Sequence, residues 1–472
     1  MKHIDIQMII LCITTNYNGD LVDINNTKDV SHDFQYTSNM FGNIYVGGRR
    51  DIVTLSKHAG PKYVMTSTPQ KYTMLDKFDM KYMTKKMIDD KILVECINNT
   101  FIIGGISTFD AFLKDADLIL VKQYDSHSSL STVEGQHISK YLRGTDKPVI
   151  PPKCYVENYD ENERRGYTIS YYVRNIQENN DELRYLSLMR NIINTGNDRP
   201  DRTGTGTFSS FGEQMRFDIS VSIPILTTKR VPWKHCVEEL LWFLRGDTDS
   251  KHLEEKGVKI WAGNSSREFL DERGLVDLNE GDIGPSYGFQ WRHFNATYYG
   301  SDADYDGQGI DQLTQVINTL KTDPFSRRII MTAWNPSQLH EMALPPCHAF
   351  CQLYVKKLEN CQLSLSCHLY QRSVDTFLGC PWNMMSYAIL TKLIALKCGM
   401  VTNELIISTG DVHVYKNHID QVKTQIGRDI RPPPMLLINP NVEYKDFSQI
   451  NIDDFQLVGY YPHKAIKAKM AI

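Results

Sequence analysis

The sequence predicts two bodies of mixed α and β structure, an α/β unit over residues 1–176 and a larger α+β unit over residues 181–472. Three observations predict this. Short β-prone runs ended by Gly, Pro or polar residues recur through the first third, with glycine pairs where strands run into expected helices. After residue 181, apolar faces at helical spacing alternate with long β-prone runs. A chain of 472 residues with 41% apolar and 23% charged residues is long enough for two or three cores.

In the first unit, strands are expected at 8–14, 43–46, 62–66, 101–103, 117–122 and 167–173. Gly47-Gly48 precede Arg49-Arg50, and Gly104-Gly105 follow Phe101-Ile102-Ile103. Glycine beside a helix N-terminus lets backbone N–H groups approach a phosphate, although a tight turn gives the same pattern. Residues 125–165 are polar and read as loops. Met8 to Ile13 is too short an apolar core for a signal peptide and lacks a cleavage site, so it reads as a first strand. No run reaches membrane-spanning length. A net charge of −4 excludes a general polybasic drive toward nucleic acid or membrane. The ten cysteines form no CxxC pair and no zinc spacing, so no metal site is expected, and the thiols suit a reduced cytoplasmic protein.

The second unit opens with a helix that Asp181 can cap, carrying Leu183, Leu186, Met189, Ile192 and Ile193 and ended by Gly196. Asp201-Arg202-Thr203-Gly204-Thr205-Gly206-Thr207 follows. It lacks a Gly-Lys-Ser/Thr ending and so is no nucleotide P-loop, but Arg202 in a donor-rich loop suits a phosphate, and a solvated hairpin is the plainer alternative. Residues 232–246 form a helix with Pro in its first turn, and periodicity favours an exposed Glu239 on it. Trp261 to Asn264 and Gly284 to Arg292 mix aromatics with glycines, as core packing or a flat ring ligand would require. Ser326-Arg327-Arg328 opens a β-prone run. Neighbours on a strand point to opposite faces, so the two arginines are expected to reach different places, including another subunit.

Pro345-Pro346 then stiffen the backbone before Cys347, and His348 opens a buried strand. Cys347 is a candidate nucleophile; a buried thiol among ten is the alternative. Cys361 to Tyr370 alternates as a second strand and ends at Arg372, Ser373 and Asp375. Leu378-Gly379-Cys380-Pro381-Trp382-Asn383 leads into an apolar helix with Asn383 as its expected N-cap. A strand over 405–408 delivers His413 and Tyr415 ahead of a helix at 417–426.

The first unit's order of motifs resembles dihydrofolate reductase: GNIYVGGRR from Gly42, PKYVMT from Pro61, FIIGG from Phe101. The resemblance implies a central, mostly parallel sheet, NADPH contacts from Arg49, Arg50, Gly104 and Gly105, and Asp33 as the carboxylate that holds a pteridine. Departures are the missing Leu-Pro-Trp segment, and Asp51 and Lys122 where threonines are usual. A working reductase and a scaffold both stay open.

Residues 181–472 resemble thymidylate synthase across nearly their whole length, with DRTGTGT, EELLWFLRGDT, GPSYGFQWRHF, SRRIIMTAWNP, ALPPCHAF, LYQRSVDTFLGCPWN, GDVHVYKNH and KMAI in order. The resemblance implies a mixed sheet with packed helices, and Cys347 as the nucleophile at C6 of dUMP, its thiolate favoured by Arg372. It implies Arg202, Arg372 and Ser373 at the phosphate, with Arg327 and Arg328 lent by the partner of a homodimer. Asn383 would read the uracil edge, His413 and Tyr415 the deoxyribose, while Glu239 relays protons at O4 and Tyr287 lies near the C5 proton. His348, in the same substrate pocket, reads as a strand residue rather than a base. Trp261, Asn264, Asp375, Leu378, Gly379 and Ile472 are implied at 5,10-methylenetetrahydrofolate. Trp382 stands where phenylalanine is usual. A pyrimidine hydroxymethylase, a cysteine hydrolase using Cys347 with His348, and a non-catalytic nucleotide- or RNA-binding protein are the rival classes.

Overall fold

The computed structural model describes residues 179–469 apart from 221, 359–360, 432 and 459, and the backbone of ten strands before them. Arg49, Arg50, Gly104, Gly105, Asp33 and Ile472 lie outside the described residues. The chain divides into two compact units: Met1–Glu178 with Pro434–Pro440 and Gln456–Tyr461, and Asn179–Pro433 with Asn441–Phe455 and Pro462–Ile472.

Over residues 1–178 of the first unit the strands are β1 (Ile9–Thr15), β2 (Asp20–Val22), β3 (Gly42–Gly48), β4 (Lys62–Met65), β5 (Met80–Met83), β6 (Asn99–Ile103), β7 (Leu118–Tyr124), β8 (Thr132–His137), β9 (Asn158–Asp160) and β10 (Arg165–Val173). Their main order is β5-β4-β3-β6-β1-β7-β10-β9. Every pair from β5 to β7 is parallel, and β10 runs antiparallel to β7 and β9. The continuous apolar runs of β1 and β7 suit parallel strands, whereas the alternation in Tyr167-Thr168-Ile169-Ser170 suits an antiparallel one. β8 and β9 fall within the stretch expected to be loops; their polar composition hides them from a hydrophobic pattern.

The second unit contains, among its described residues, α1 (Asn180–Thr195), β11 (Asn197–Arg199), β12 (Thr207–Phe211), β13 (Gln214–Asp218), α2 (Trp233–Leu244), α3 (Lys251–Glu254), α4 (Arg267–Glu272), α5 (Tyr287–His293), α6 (Gln312–Thr322), β14 (Ile330–Thr332), β15 (His348–Lys357), β16 (Leu363–Asp375), α7 (Gly379–Lys397), β17 (Val401–Tyr415) and α8 (Ile419–Ile426). The sheet runs β11-β12-β17-β16-β15-β14, with β13 also on β17. β16 and β17 are parallel and the other pairs antiparallel, so the sheet is mixed. A parallel pair needs a crossover, which α7 supplies; it is apolar on nearly every side because it lies buried. Trp242, Trp291, Tyr185, Phe217 and Phe243 are the largest fully buried side chains, and α2 packs on α5 and α7.

Two caps differ from expectation. Asn179, not Asp181, caps α1: its side chain accepts the Glu182 N–H at 3.1 Å, while Asp181 accepts from Arg184 and from the Asp218 N–H. α7 begins at Gly379, so Asn383 lies inside the helix and its amide is free for another task. Pro381 is tolerated in that first turn because its missing N–H has no intrahelical partner there. Arg327 and Arg328 sit in the turn before β14 rather than on a strand, and both are exposed. The argument from opposite strand faces therefore does not apply to them.

Candidate active site

Cys347 ends the Pro345-Pro346 segment one residue before β15. The β15–β16 register shifts between His348 and Phe350, a bulge that turns the strand end beside Cys347. Three contacts hold the residue. Its N–H donates to the Tyr287 hydroxyl at 2.8 Å, its carbonyl accepts the Arg372 N–H at 2.9 Å, and the Arg372 guanidinium donates to its sulfur at 3.9 Å. The same guanidinium donates to the carbonyls of Pro346 at 2.9 Å and Pro345 at 2.7 Å, so Arg372 braces the loop that carries the thiol. Burial pushes the Cys347 thiol up, and Arg372 and Tyr287 only partly offset this. The expected thiolate-favouring effect of Arg372 is present, but desolvation outweighs it in the free protein.

Glu239 corrects the reading from periodicity: it is 6% exposed. Its two oxygens accept the indole N–H groups of Trp261 at 2.8 Å and Trp382 at 2.6 Å. Burial raises its carboxyl to about 7 against those two donors, a value suited to proton transfer near neutral pH. Tyr287 opens α5 against the same helix, its ring 5.0 Å from Phe243 and 5.8 Å from Trp261. Gly288 makes this approach possible, since a Cβ there would lie 2.6 Å from the Phe243 carbonyl oxygen.

His348 is buried, stacked on Tyr287 at 4.1 Å, with Nδ1 3.0 Å from the Tyr387 hydroxyl. Burial pushes its imidazole down to about 3, so it is neutral and unsuited to be a base for Cys347.

Asn383 Oδ1 accepts from Gln371 Nε2 at 2.8 Å. Gln371 is fully buried, and its own Oε1 has no partner among the described residues. Gln371 was missed in the sequence, where nothing in an alternating strand marks it as the residue that orients Asn383. Ser373 and Asp375 lie opposite Asp411 and His413 in the parallel β16–β17 pair. His413 Nδ1 is 2.9 Å from Asp411, and its ring lies 5.1 Å from Tyr415. Burial first, then the charges of Asp375 and Asp201, push Tyr415 up to about 12, with Arg202 pulling the other way and Cys347 adding to the rise. Charged or titratable residues from three other motifs thus act on Tyr415. Arg202 itself is exposed, in a loop whose Asp201 accepts the Thr203 and Gly206 N–H groups at 2.8 and 2.6 Å.

Of the residues implied at a folate, Trp261, Leu378 and Gly379 are half-buried and Asn264 is buried. Asp375 accepts the N–H groups of Phe377 and Leu378, which positions the start of α7. A Cβ on Gly379 would meet nothing nearer than 3.8 Å, so the helix start has open space beside it.

A family model for thymidylate synthase matches residues 183–472. The chain is 53% identical over 297 residues to bifunctional dihydrofolate reductase-thymidylate synthase 2 of Arabidopsis thaliana, covering 63% of this chain and 51% of that protein. It is 50% identical over 303 residues to the bifunctional protein of Zea mays, covering 64% and 57%. With the thymidylate synthase of Homo sapiens it shares 53% identity over 291 residues, covering 62% of this chain and 91% of that protein. The chain thus matches about half the length of the bifunctional relatives.

Proposed function

Because the chain belongs to the thymidylate synthase family, we propose that it methylates dUMP to dTMP through addition of the Cys347 sulfur to C6 of the uracil. The observation that carries this reading is the shared hold on Cys347, with Tyr287 on its N–H and Arg372 on its sulfur. Arg372 stabilises the thiolate as it forms, offsetting the burial that keeps the free thiol protonated. Addition at C6 moves the ring electrons toward C5 and O4, and departure of the Cys347 thiolate from C6 at the end restores the 5,6 double bond of dTMP. Glu239, titrating near 7, gives and takes the proton at O4 through ordered water, and the Tyr287 side lies toward the C5 proton. Asn383 reads N3–H and O4, with its amide oriented by Gln371. Arg202, Arg372 and Ser373 take the phosphate, and His413 and Tyr415 take the deoxyribose hydroxyl.

Trp261, Asn264, Asp375, Leu378 and Gly379 hold 5,10-methylenetetrahydrofolate, which supplies the one-carbon unit and the hydride when bound. The active form is a homodimer in which Arg327 and Arg328 reach the partner's phosphate site. Both are exposed, and the sheet carries exposed Ile330, Phe350 and Tyr354 beside them. The spacing of its cysteines supports a cytoplasmic location. No described helix is long and apolar enough to cross a membrane. The first unit has a dihydrofolate reductase-like fold and recycles dihydrofolate with NADPH, a reading supported by its mostly parallel sheet and by the names of the bifunctional relatives.

Release of tritium from C5-labelled dUMP tests the main reaction. Cys347→Ala is expected to lower it by at least about a thousandfold, and retention of methylation would refute the nucleophile. NADPH oxidation by the full chain with dihydrofolate tests the first unit, and absence of turnover leaves only a scaffold role there.

A further inference from the structure

Glu239 is held unusually for a buried carboxylate. Each oxygen accepts one indole N–H, from Trp261 at 2.8 Å on one side and from Trp382 at 2.6 Å on the other. An indole nitrogen only donates, so both contacts select the carboxylate as acceptor and fix the plane of the group. The two donors come from different elements, a turn after α3 and the fourth residue of α7, so they cannot both be by-products of one local conformation. Trp382 is itself tied back to α2, because Cys236 Sγ donates to its carbonyl at 3.4 Å. A phenylalanine at 382 would fill similar space but donate nothing.

We propose that Trp382 is a positioning residue for the proton relay, holding the second oxygen of Glu239 so that the carboxylate keeps one orientation in a buried site. This rests on the reading of Glu239 as the proton-transfer group. Burial drives the carboxyl toward its neutral form, and the two indole donors oppose that drive. Without Trp382 the desolvated oxygen has one donor fewer, so the carboxyl binds its proton more tightly.

The titratable groups facing Glu239 are the Cys236 thiol on its own helix and the Tyr287 hydroxyl of α5, both pushed well above their ordinary values by burial. Both therefore stay neutral while Glu239 titrates. Other charged groups on the surrounding elements are engaged elsewhere: Lys256 with Glu238 at 2.7 Å, Arg245 with the Ile450 carbonyl at 2.8 Å and Arg292 with the Leu244 carbonyl at 2.7 Å. His348 of β15 is neutral in the same range.

The test compares the full-length wild-type chain with Trp382→Phe. A pH-difference infrared titration follows the protonated-carboxyl band, assigned to Glu239 by its loss in Glu239→Gln. In Trp382→Phe the midpoint is expected to rise by about one unit, and the limb of the kcat/KM profile that reports Glu239 should move up with it. An unchanged midpoint in a folded Trp382→Phe protein overturns the proposal. A second measurement needs no folded variant: in wild-type protein with nitrogen-15 tryptophan, the Trp382 indole N–H resonance should shift with the Glu239 midpoint, and a resonance indifferent to that titration also overturns it. Failure of the reaction itself shows separately, as absence of C5 tritium release from wild type while the carboxyl still titrates beside Trp382.

Discussion

At Asn383 a single amide is proposed to carry the choice of pyrimidine. Uracil offers a donor at N3 and an acceptor at C4, and an amide matches both; cytosine reverses them and suits a carboxyl group, which accepts from the C4 amine and, when protonated, donates to N3. In the structure Gln371 donates to Asn383 Oδ1, which leaves Nδ2 as the free donor and holds the amide plane. Asn383→Asp is expected to move the ratio of kcat/KM values from dUMP toward dCMP by about a hundredfold or more. Unchanged preference for dUMP, measured with both nucleotides in competition, would undo the assignment. The same scale explains why Cys347 and His348 do not form a hydrolase dyad: the imidazole is buried, neutral and occupied by Tyr387.

Among the elements, the start of α1 depends on one buried carboxylate. Glu182 accepts the N–H groups of Thr227 and Thr228 at 2.8 to 2.9 Å and both threonine hydroxyls at 2.6 Å. It is 3% exposed, so its removal leaves the two threonine N–H groups without an acceptor and away from water. Glu182→Ala is expected to cost about 3 kcal/mol, read as a lower urea midpoint at unchanged slope. A loss below about 1 kcal/mol would mean that water enters and satisfies the donors. In the sequence, Asp181 looked the better cap because an acidic residue at a helix start is a local signal. The loop at 227–228 that claims Glu182 is distant in the chain, and no local pattern announces it.

For the whole molecule the open question is assembly. Arg327 and Arg328 are exposed and have no ion pair among the described residues. Phe350 stacks on Tyr370 at 5.6 Å, and with Ile330 and Tyr354 it forms an apolar face on the sheet. In a homodimer that shares arginines, a Cys347→Ala chain and an Arg327→Glu/Arg328→Glu chain are each inactive. Unfolded and refolded together in equal amounts, they should recover about a quarter of wild-type activity, because half the dimers carry one intact site of two. No recovery, with mixed dimers verified by tagged pull-down, would remove the arginine loan.

Much of the second unit was legible in the chain itself. Proline before Cys347, the alternation of β15 and β16, and the apolar length of α7 are local signals, because period and φ restriction depend only on neighbouring residues. The types needed for the proposed chemistry were legible too, since Cys347, Glu239, Arg372 and Asn383 stand in motifs that a single family shares. Three matters were decided only in three dimensions. Glu239 reads as exposed from its helix but is enclosed by Trp261 and Trp382, which lie on other elements. Arg372 favours the Cys347 thiolate as its motif suggests, yet burial outweighs it, and desolvation is a property of the packed surroundings rather than of the neighbours in sequence. Asn383 passed for a helix cap until α7 proved to begin earlier, placing it opposite Gln371. Residue types and periods are properties of the chain; burial and the pairing of polar groups belong to the fold, because both depend on what distant segments bring to the same place.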